Sequence, residues 1–435
     1  MKIKIIHIIT KLELGGAQQN TLFTIRNLDR NVFDPVLISG TGGILDKEAN
    51  KIKDAKIYFI PELVREINPL KDIIALLKLT KILYAEKQIS IQQSAFSTQF
   101  SELKTQNSKP KTFNMQHATH NLKQSATPII VHTHSSKAGI LGRWAARLAG
   151  VPITIHTFHG FGFNDYQRFL KRNLFLFLER FTGKITSHFI CVSKSNIEKG
   201  ERLGIFSGKK VSLIRSGIEI DKFRNSKNII PLSPPLSKGD SGGLLVKKLE
   251  ELKIKNNIPI VGMIACFKPQ KAPLDFIKIA AKVKKEVEAK FVIVGDGELR
   301  EKIEAEIEES NLKDDVILAG WQKDIPQVLK CFDLLLLTSL WEGLPRVIPE
   351  AVASDIPVIA TDVDGVDEVI KDGVNGYLLK PHNIDGFSEK IVYLLKNKTV
   401  LEGFTKTGKE VLAEFDINEM VKKQEMLYLS FFENA

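Results

Sequence analysis

The 435-residue chain is 43% hydrophobic and 26% charged, with a formal net charge of +11, and at ~100–200 residues per domain it has room for two or three domains with full cores. No stretch approaches the ~18 uninterrupted apolar residues of a membrane-spanning helix, and the scattered cysteines Cys191, Cys266 and Cys331 exclude a disulfide framework and a cysteine zinc site. The charge is uneven: residues 1–200 carry 28 Lys and Arg against 14 Asp and Glu, and residues 201–435 carry 34 against 37, so the basic excess of the first half suits either an anionic partner or plain solubility.

The start, "MKIKIIHIITKLELGG", has too short an apolar run and no small-residue cleavage site for a signal peptide, which gives the expectation of a cytoplasmic chain. "KIKIIHIIT", "FDPVLISG", "KIYFIP", "IIVHTH", "ITIHTFHG" and "HFICVS" read as strands, separated by helical patterns such as "AQQNTLFTIRNL" and "SKAGILGRWAARLAG". Between the third and fourth strands, a polar segment rich in Gln, Ser and Thr predicts an irregular insertion at about residues 90–127. "DYQRFLKRNLFLFLERF" mixes Arg168, Lys171, Arg172 and Arg180 with Phe169, Leu174, Phe177 and Phe181. It fits either an amphipathic basic surface against a membrane or a core helix whose basic side chains snorkel outward.

After residue 215 or so the alternation restarts, with "IPIVGMIAC", "KFVIVGDG", "DVILAG", "DLLLLTS", "IPVIAT" and "NGYLL" as strands. "NIIPLSPPLSKGDSGG", dense in Pro and Gly, predicts an irregular loop at about residues 225–245. "NEMVKKQEMLYLSFFENA" reads as a final helix. Strand and helix in alternation imply parallel sheets with right-handed crossovers: an α/β chain of two doubly wound, Rossmann-like domains, residues 1–215 and 216–415, followed by the helical segment 416–435.

In such sheets ligands bind beyond the carboxyl ends of strands, where free backbone amides hold anions. "KLELGGAQ" and "GDGELR" both follow strands; Gly295 and Gly297 read as turn residues. More specific is "WEGLPRVIPEAVASDIPVIAT": Glu342 follows the strand "DLLLLTS", "GLPR" is expected to open a helix, and Pro349 suits a first helical turn. Glu342 and Glu350 would lie ~12 Å apart along a continuous helix at ~1.5 Å per residue. That is too wide for one metal ion and suited to two hydroxyl-bearing parts of a long ligand, such as the sugar and ribose of a nucleotide sugar. A helix-terminal charge and a solvated helix glutamate would explain the same two residues.

The Glu342-x7-Glu350 pair within "SLWEGLPRVIPEAVASDIPVIATDVDGVDEVIKDGVNGYLL" resembles the donor-site signature of family 4 glycosyltransferases, retaining enzymes of the two-domain GT-B fold. The likeness extends in order through "GGAQ", "VHTHSSKAGILGRWAARLAGVPITIHTFHGF", "CVSKSNIEKG", "RSGIEIDKF", "GMIACFKPQKAPLDFIKIA", "VGDGELR" and "LAGWQKDIPQVL", leaving only the two irregular segments unmatched. It implies two Rossmann-like domains facing across a cleft, an N-terminal acceptor domain, a C-terminal donor domain, and a last helix packed back on the first domain.

Residue by residue, the resemblance implies that Glu350 holds the donor ribose and that Glu342 stands by the transferred sugar, with the backbone of Gly343, Leu344, Pro345 and Arg346 near sugar and diphosphate. Lys271 matches the lysine that neutralises the diphosphate. Cys266 stands where an arginine is usual, so Lys268 or Arg215 is expected to supply the second positive charge. His159 matches an active-site histidine, whereas His132, His134 and His156 read equally as core or supporting groups. Gly15 and Gly16 are expected to approach donor phosphate or acceptor.

The implied activity is retaining transfer from a nucleotide sugar, UDP- or GDP-linked, to a lipid-linked or saccharide acceptor in cell-surface polysaccharide or glycolipid synthesis. No obligatory metal or other cofactor is expected, since the Asp-x-Asp spacing at Asp362–Asp364 falls in a loop. Contact with an anionic membrane at the inner face of the cell membrane is expected, and no nucleic acid partner. A nucleotide-sugar epimerase on the same fold, or a non-enzymatic phosphate- or nucleic-acid-binding protein, are the competing readings.

Overall fold

The computed structural model describes residues 2–105, 128–225, 249 and 258–432. They form two compact units, Met1–Ser216 with Glu419–Ala435, and Gly217–Asn418.

The first unit is built on seven parallel strands, β1 (Ile3–Ile9), β2 (Phe33–Ser39), β3 (Lys56–Phe59), β4 (Ile129–His134), β5 (Ile153–Phe158), β6 (His188–Cys191) and β7 (Val211–Leu213), in the order β3-β2-β1-β4-β5-β6-β7. Every residue of β1 is buried, as expected of a central parallel strand covered on both faces. Its register places His7 opposite His132 and Lys4 opposite Ile129. On one face Ile6, Ile8, Val36 and Val131 pack with Ala75, Leu79 and Leu83 of the helix Pro69–Thr105; on the other, Ile9 and Leu37 pack with Leu22 and Ile25. Tyr428 of the last helix is fully buried in this unit, edge-on to Phe33.

The helix Pro69–Thr105 corrects one expectation. The sequence pattern places residues 90–105 in an irregular insertion, yet they continue the helix. The segment lacks an apolar period but also lacks Gly and Pro before Pro110, so a helix already nucleated on the core propagates through good formers such as Gln, Ala, Leu and Lys. The remainder of that insertion, and nearly all of the predicted loop at 225–245, lie outside the described residues.

The second unit carries six parallel strands, β8 (Ile260–Ile264), β9 (Lys290–Val294), β10 (Val316–Leu318), β11 (Leu334–Leu337), β12 (Val358–Thr361) and β13 (Gly376–Leu379), in the order β10-β9-β8-β11-β12-β13. Met263, Phe276, Phe291, Ile293, Leu336, Ile359 and Phe387 form its core. Gly295 and Gly297 adopt φ of +139° and +156°, and a Cβ on Gly295 would stand 2.0 Å from the Ala265 carbonyl oxygen. They are turn residues that let the loops after β8 and β9 touch. In both sheets the connections reverse direction beside the first strand, at β1/β4 and at β8/β11, which is where a doubly wound sheet opens a crevice at its carboxyl edge.

Candidate functional site

At the β8/β11 switch point three loops of the second unit are stitched together. After β8 the chain makes a short 3-10 turn, Pro269–Lys271, and reaches Ala272 at φ +42° before the helix Pro273–Val283 begins. A left-handed alanine is uncommon and is held by its surroundings. The Leu340 amide donates to the Gln270 carbonyl at 2.7 Å, Gln270 Nε2 donates to the Trp341 carbonyl at 2.8 Å, and Thr338 Oγ1 donates to the Lys271 carbonyl at 2.9 Å. From the third loop, after β12, Asp364 accepts from the Glu342 amide at 2.7 Å.

Glu342 is thereby buried and placed from two sides, its backbone by Asp364 and its carboxylate by an ion pair with Lys271 Nζ. Glu350, also buried, is the fourth residue of the helix Val347–Ala353 and lies 3.2 Å from Arg346 Nη2. Burial raises the Glu350 carboxyl above the ordinary carboxylate range, opposed by the positive charges of Arg346 and Lys222.

The path between the glutamates corrects the sequence reading. The helix starts only at Val347, so Gly343–Arg346 lead into it instead of opening it. Leu344 precedes a proline and is disfavoured in helical conformation, and Pro345 has no amide N–H to offer a ligand. Pro349 does occupy the first turn. Lys268 is half-buried and precedes the 3-10 turn, and Cys266 is a half-buried free thiol. Arg215 is buried and belongs to the first unit, two residues beyond β7.

In the first unit, Gly15 precedes the helix Gly16–Asn27 with an extended backbone, φ −157°. A Cβ there would meet Gln18 Oε1 at 2.7 Å, so its own helix already uses the missing side chain. Thr10 Oγ1 and Ser135 Oγ, 2.7 Å apart, tie the ends of β1 and β4.

His159 follows β5 directly, and its Nε2 lies 3.1 Å from His134 Nδ1; His134 Nε2 in turn lies 2.9 Å from His7 Nδ1. His132 bonds the Tyr428 hydroxyl at 2.6 Å and Thr157 Oγ1 at 2.7 Å, while His156 bonds Thr133 Oγ1 at 2.9 Å. Burial lowers all five imidazoles, His7 to about 3 and His159 to about 4, so they are neutral at pH 7. His7, His132 and His134 bring one ring nitrogen each within 4.8 Å of one another, close enough for a metal ion. Both nitrogens of His132 and of His134 are already hydrogen-bonded, so a metal would have to break those bonds.

Sequence reading missed His7 and Tyr428, and weighed Asp364 only as part of an Asp-x-Asp spacing in a loop. For His7 there was a signal, a polar residue in the apolar run "IKIIHII", which Lys4 shares; the contacts of Asp364 and Tyr428 are supplied only by the fold.

The helix Phe169–Gly183 is anchored by a fully buried Arg143, whose Nη2 lies 2.7 Å from Glu179 Oε2. Phe169, Leu170, Leu174, Phe177 and Phe181 are exposed, at 48% or more of their surface. At about 100° per residue they fall within an arc of about 140°, on the side opposite buried Glu179 and Thr182. No helix among the described residues is long and apolar enough to cross a membrane.

Comparison with known proteins adds the family. Residues 247–411 match the model of "Glycosyl transferases group 1", and residues 103–222 that of "Glycosyltransferase Family 4". The chain is 31% identical over its whole length, and over 98% of the relative, to UDP-Gal:alpha-D-GlcNAc-diphosphoundecaprenol alpha-1,3-galactosyltransferase of Escherichia coli. It is 28% identical, across 70% of its length and 78% of the relative, to N,N'-diacetylbacillosaminyl-diphospho-undecaprenol alpha-1,3-N-acetylgalactosaminyltransferase of Campylobacter jejuni. Among solved structures, Anabaena HepE in complex with UDP and glucose superposes with a TM-score of 0.70 at 16% identity, covering 98% of this chain and all of that one. Sucrose-phosphate synthase of Thermosynechococcus elongatus gives 0.71 at 17%, covering 100% of both chains. With sheet order, switch-point loops and full-length similarity in agreement, the chain belongs to the family 4 glycosyltransferases, retaining enzymes of the two-domain GT-B fold.

Proposed function

We propose that this glycosyltransferase moves a hexosyl residue from a UDP-sugar, UDP-galactose being the first candidate, to a sugar carried on a polyprenyl diphosphate. The observation that carries the reading is the 31% identity over the full chain to the E. coli enzyme of that substrate class; the likeness in fold to HepE, solved with UDP and glucose, supports the uridine nucleotide.

Within this reading Glu350 accepts hydrogen bonds from the ribose hydroxyls, and Glu342 from hydroxyls of the transferred sugar. Lys271 neutralises the diphosphate, with Lys268 or Arg215 as the second positive charge, and backbone of Gly343, Leu344 and Arg346 borders it, Pro345 shaping the turn. Gly15, Gly16 and His159 serve the acceptor and the reacting sugar. As the anomeric carbon gains oxocarbenium character, the departing diphosphate gains negative charge, which fixed positive groups stabilise. Same-face attack by the acceptor hydroxyl, its proton passing to the leaving phosphate, retains configuration without a carboxylate pair of the glycosidase kind. The reaction needs no metal ion in this scheme.

The exposed face of Phe169–Gly183, flanked by exposed Arg168, Lys171, Arg180 and Lys184, is assigned to an anionic membrane surface on the cytoplasmic side, where a polyprenyl-linked acceptor is embedded. The apolar side chains point away from the core, which favours this over a buried helix with snorkelling cations.

The testing experiment is a thermal-shift screen of wild type and Glu350→Ala against UDP, GDP and their sugars. Stabilisation by UDP-sugars that disappears in the variant supports the assignment through binding linkage; stabilisation by GDP-sugars alone, or equal shifts in both proteins, overturns it.

A further inference from the structure

We propose that His7 and His134 are positioning residues that fix the tautomer of His159, by hydrogen bonds running in one direction along the three rings from the core of the sheet to its carboxyl edge. The consequence for catalysis rests on His159 belonging to the transferase site; the tautomer itself does not.

A neutral imidazole has one N–H and one lone pair. His134 uses both nitrogens on histidines, Nε2 toward His7 Nδ1 at 2.9 Å and Nδ1 toward His159 Nε2 at 3.1 Å. It can donate only one of these bonds and must accept the other. The three rings therefore share one polarity: either all three carry the proton on Nδ1, or all three carry it on Nε2. The proton at one end dictates which nitrogen of the other end is a donor.

The different depths of the two end residues decide the direction. His7 Nε2 is buried without a hydrogen-bond partner, and the residue has no exposed surface. A proton there would leave an unbonded N–H inside the sheet, a rare and costly arrangement. With the proton on Nδ1 throughout, His7 donates to His134 and His134 donates to His159. The N–H left without a partner is then His159 Nδ1, itself a buried atom, but on a ring that is partly exposed directly after β5, at the carboxyl edge where an oxygen of substrate or solvent can approach it. The low basicity of His159, about 4, keeps the ring a neutral donor instead of an acid or base at neutral pH. His132 takes no part in this chain, since its partners Tyr428 and Thr157 are hydroxyls, which serve as donor or acceptor. The rings of His7 and His134, centroids 5.2 Å apart and planes 11° from parallel, lie edge to edge and nearly parallel, as an in-line bond between their nitrogens requires.

The test is long-range 1H–15N correlation of the imidazoles in the 15N-histidine-labelled full chain, for wild type, His7→Phe and His7→Asn. The Nδ1–H form is expected for His7, His134 and His159 in wild type. It should persist at His159 in His7→Asn, whose amide can donate in place of Nδ1–H, and give way to the Nε2–H form or a mixture in His7→Phe. In transfer assays His7→Phe should lower kcat ~10-fold or more, the range for loss of an oriented donor, with the donor KM within about twofold, and His7→Asn should recover most of it. An Nε2–H wild-type His159 overturns the proposal even if His7→Phe fails to fold. So does a folded His7→Phe with the wild-type tautomer and kcat, or a stoichiometric metal ion lost with His7. The spectra need no substrate, so a wrong donor assignment would fail in the nucleotide screen and leave this result intact.

Discussion

Lys271 and Glu342, 71 residues apart, form an ion pair with side chains only 17% and 6% exposed. The lysine assigned to the donor diphosphate and the glutamate assigned to the donor sugar therefore hold each other. A diphosphate must compete with Glu342 for the same ammonium. Glu342→Gln removes that competitor, so UDP alone should bind more tightly, by ~3–10-fold, while transfer slows by ~10-fold or more because the sugar contact is lost. Lys271→Ala should weaken UDP by at least ~10-fold and destabilise the fold by ~3–5 kcal/mol, the cost of leaving a buried carboxylate unpaired. Calorimetric titration with UDP and urea melts of both variants check this; weaker UDP binding by Glu342→Gln would refute the competition.

Glu350 makes a contrary demand on the fold. Its carboxyl lies above the ordinary range because burial penalises the charge, with Arg346 and Lys222 opposing. A carboxyl raised on folding binds more protons in the native state, so its stabilising contribution is complete below the ordinary carboxylate pKa and is lost as pH rises through the folded value. Ligand-free Glu350→Gln should thus melt higher than wild type at pH 7, with the gain shrinking as pH falls toward 4.5. The same variant should lose the UDP-induced shift. A lower melting temperature at pH 7 would mean that the pair with Arg346 outweighs burial.

These relationships explain what could and could not be read from residues alone. Runs such as "IKIIHII" and "LLLL" declared central strands because a sheet covered on both faces needs no polar alternation. β7, three half-buried residues, carried too little pattern to be seen. The Gly-Leu-Pro turn was visible as local chemistry, but the start of the helix at Val347 depends on the restriction that Pro345 imposes on Leu344. Asp364 holding the Glu342 amide, and His7 at the base of a histidine chain, are products of strand order. No local signal states that β1 lies beside β4 or β11 beside β12.

Glu86 offers a test of stability apart from the site. It is buried beneath the first sheet and accepts from Lys4 at 2.7 Å, Lys56 at 2.6 Å and the Tyr58 hydroxyl at 2.6 Å. Burial alone would raise its carboxyl, but those three bonds outweigh it and pull it down to about 2. A depressed carboxyl stabilises fully above its unfolded value of 4.5 and loses that contribution as pH falls toward 2. Glu86→Gln should cost ~3 kcal/mol at neutral pH and flatten the acid side of the stability profile. Urea unfolding at pH 7, 4 and 3 reads both effects, and a pH-independent difference between variant and wild type would rule the linkage out.

The helix Phe169–Gly183 separates membrane contact from catalysis. Leu170 and Phe177 are 82% and 62% exposed, and the buried Arg143–Glu179 pair holds the opposite side of the helix. Substituting both exposed residues by Glu should leave the fold intact, since neither contributes to the core. Full burial of such a side chain is worth ~1.5–3 kcal/mol, so the double variant should bind vesicles of anionic phospholipid at least ~10-fold more weakly. Wild-type binding should weaken as salt rises from 0.05 to 0.5 M, roughly the range over which the Debye length falls from ~14 to ~4 Å. Transfer to a short, water-soluble acceptor should be unchanged in the variant, whereas transfer to an acceptor embedded in vesicles should drop in step with binding. If vesicle binding were the same in both proteins, the exposed apolar face would have to be assigned to something other than lipid; if transfer to the soluble acceptor fell equally, the helix would be acting on the site itself.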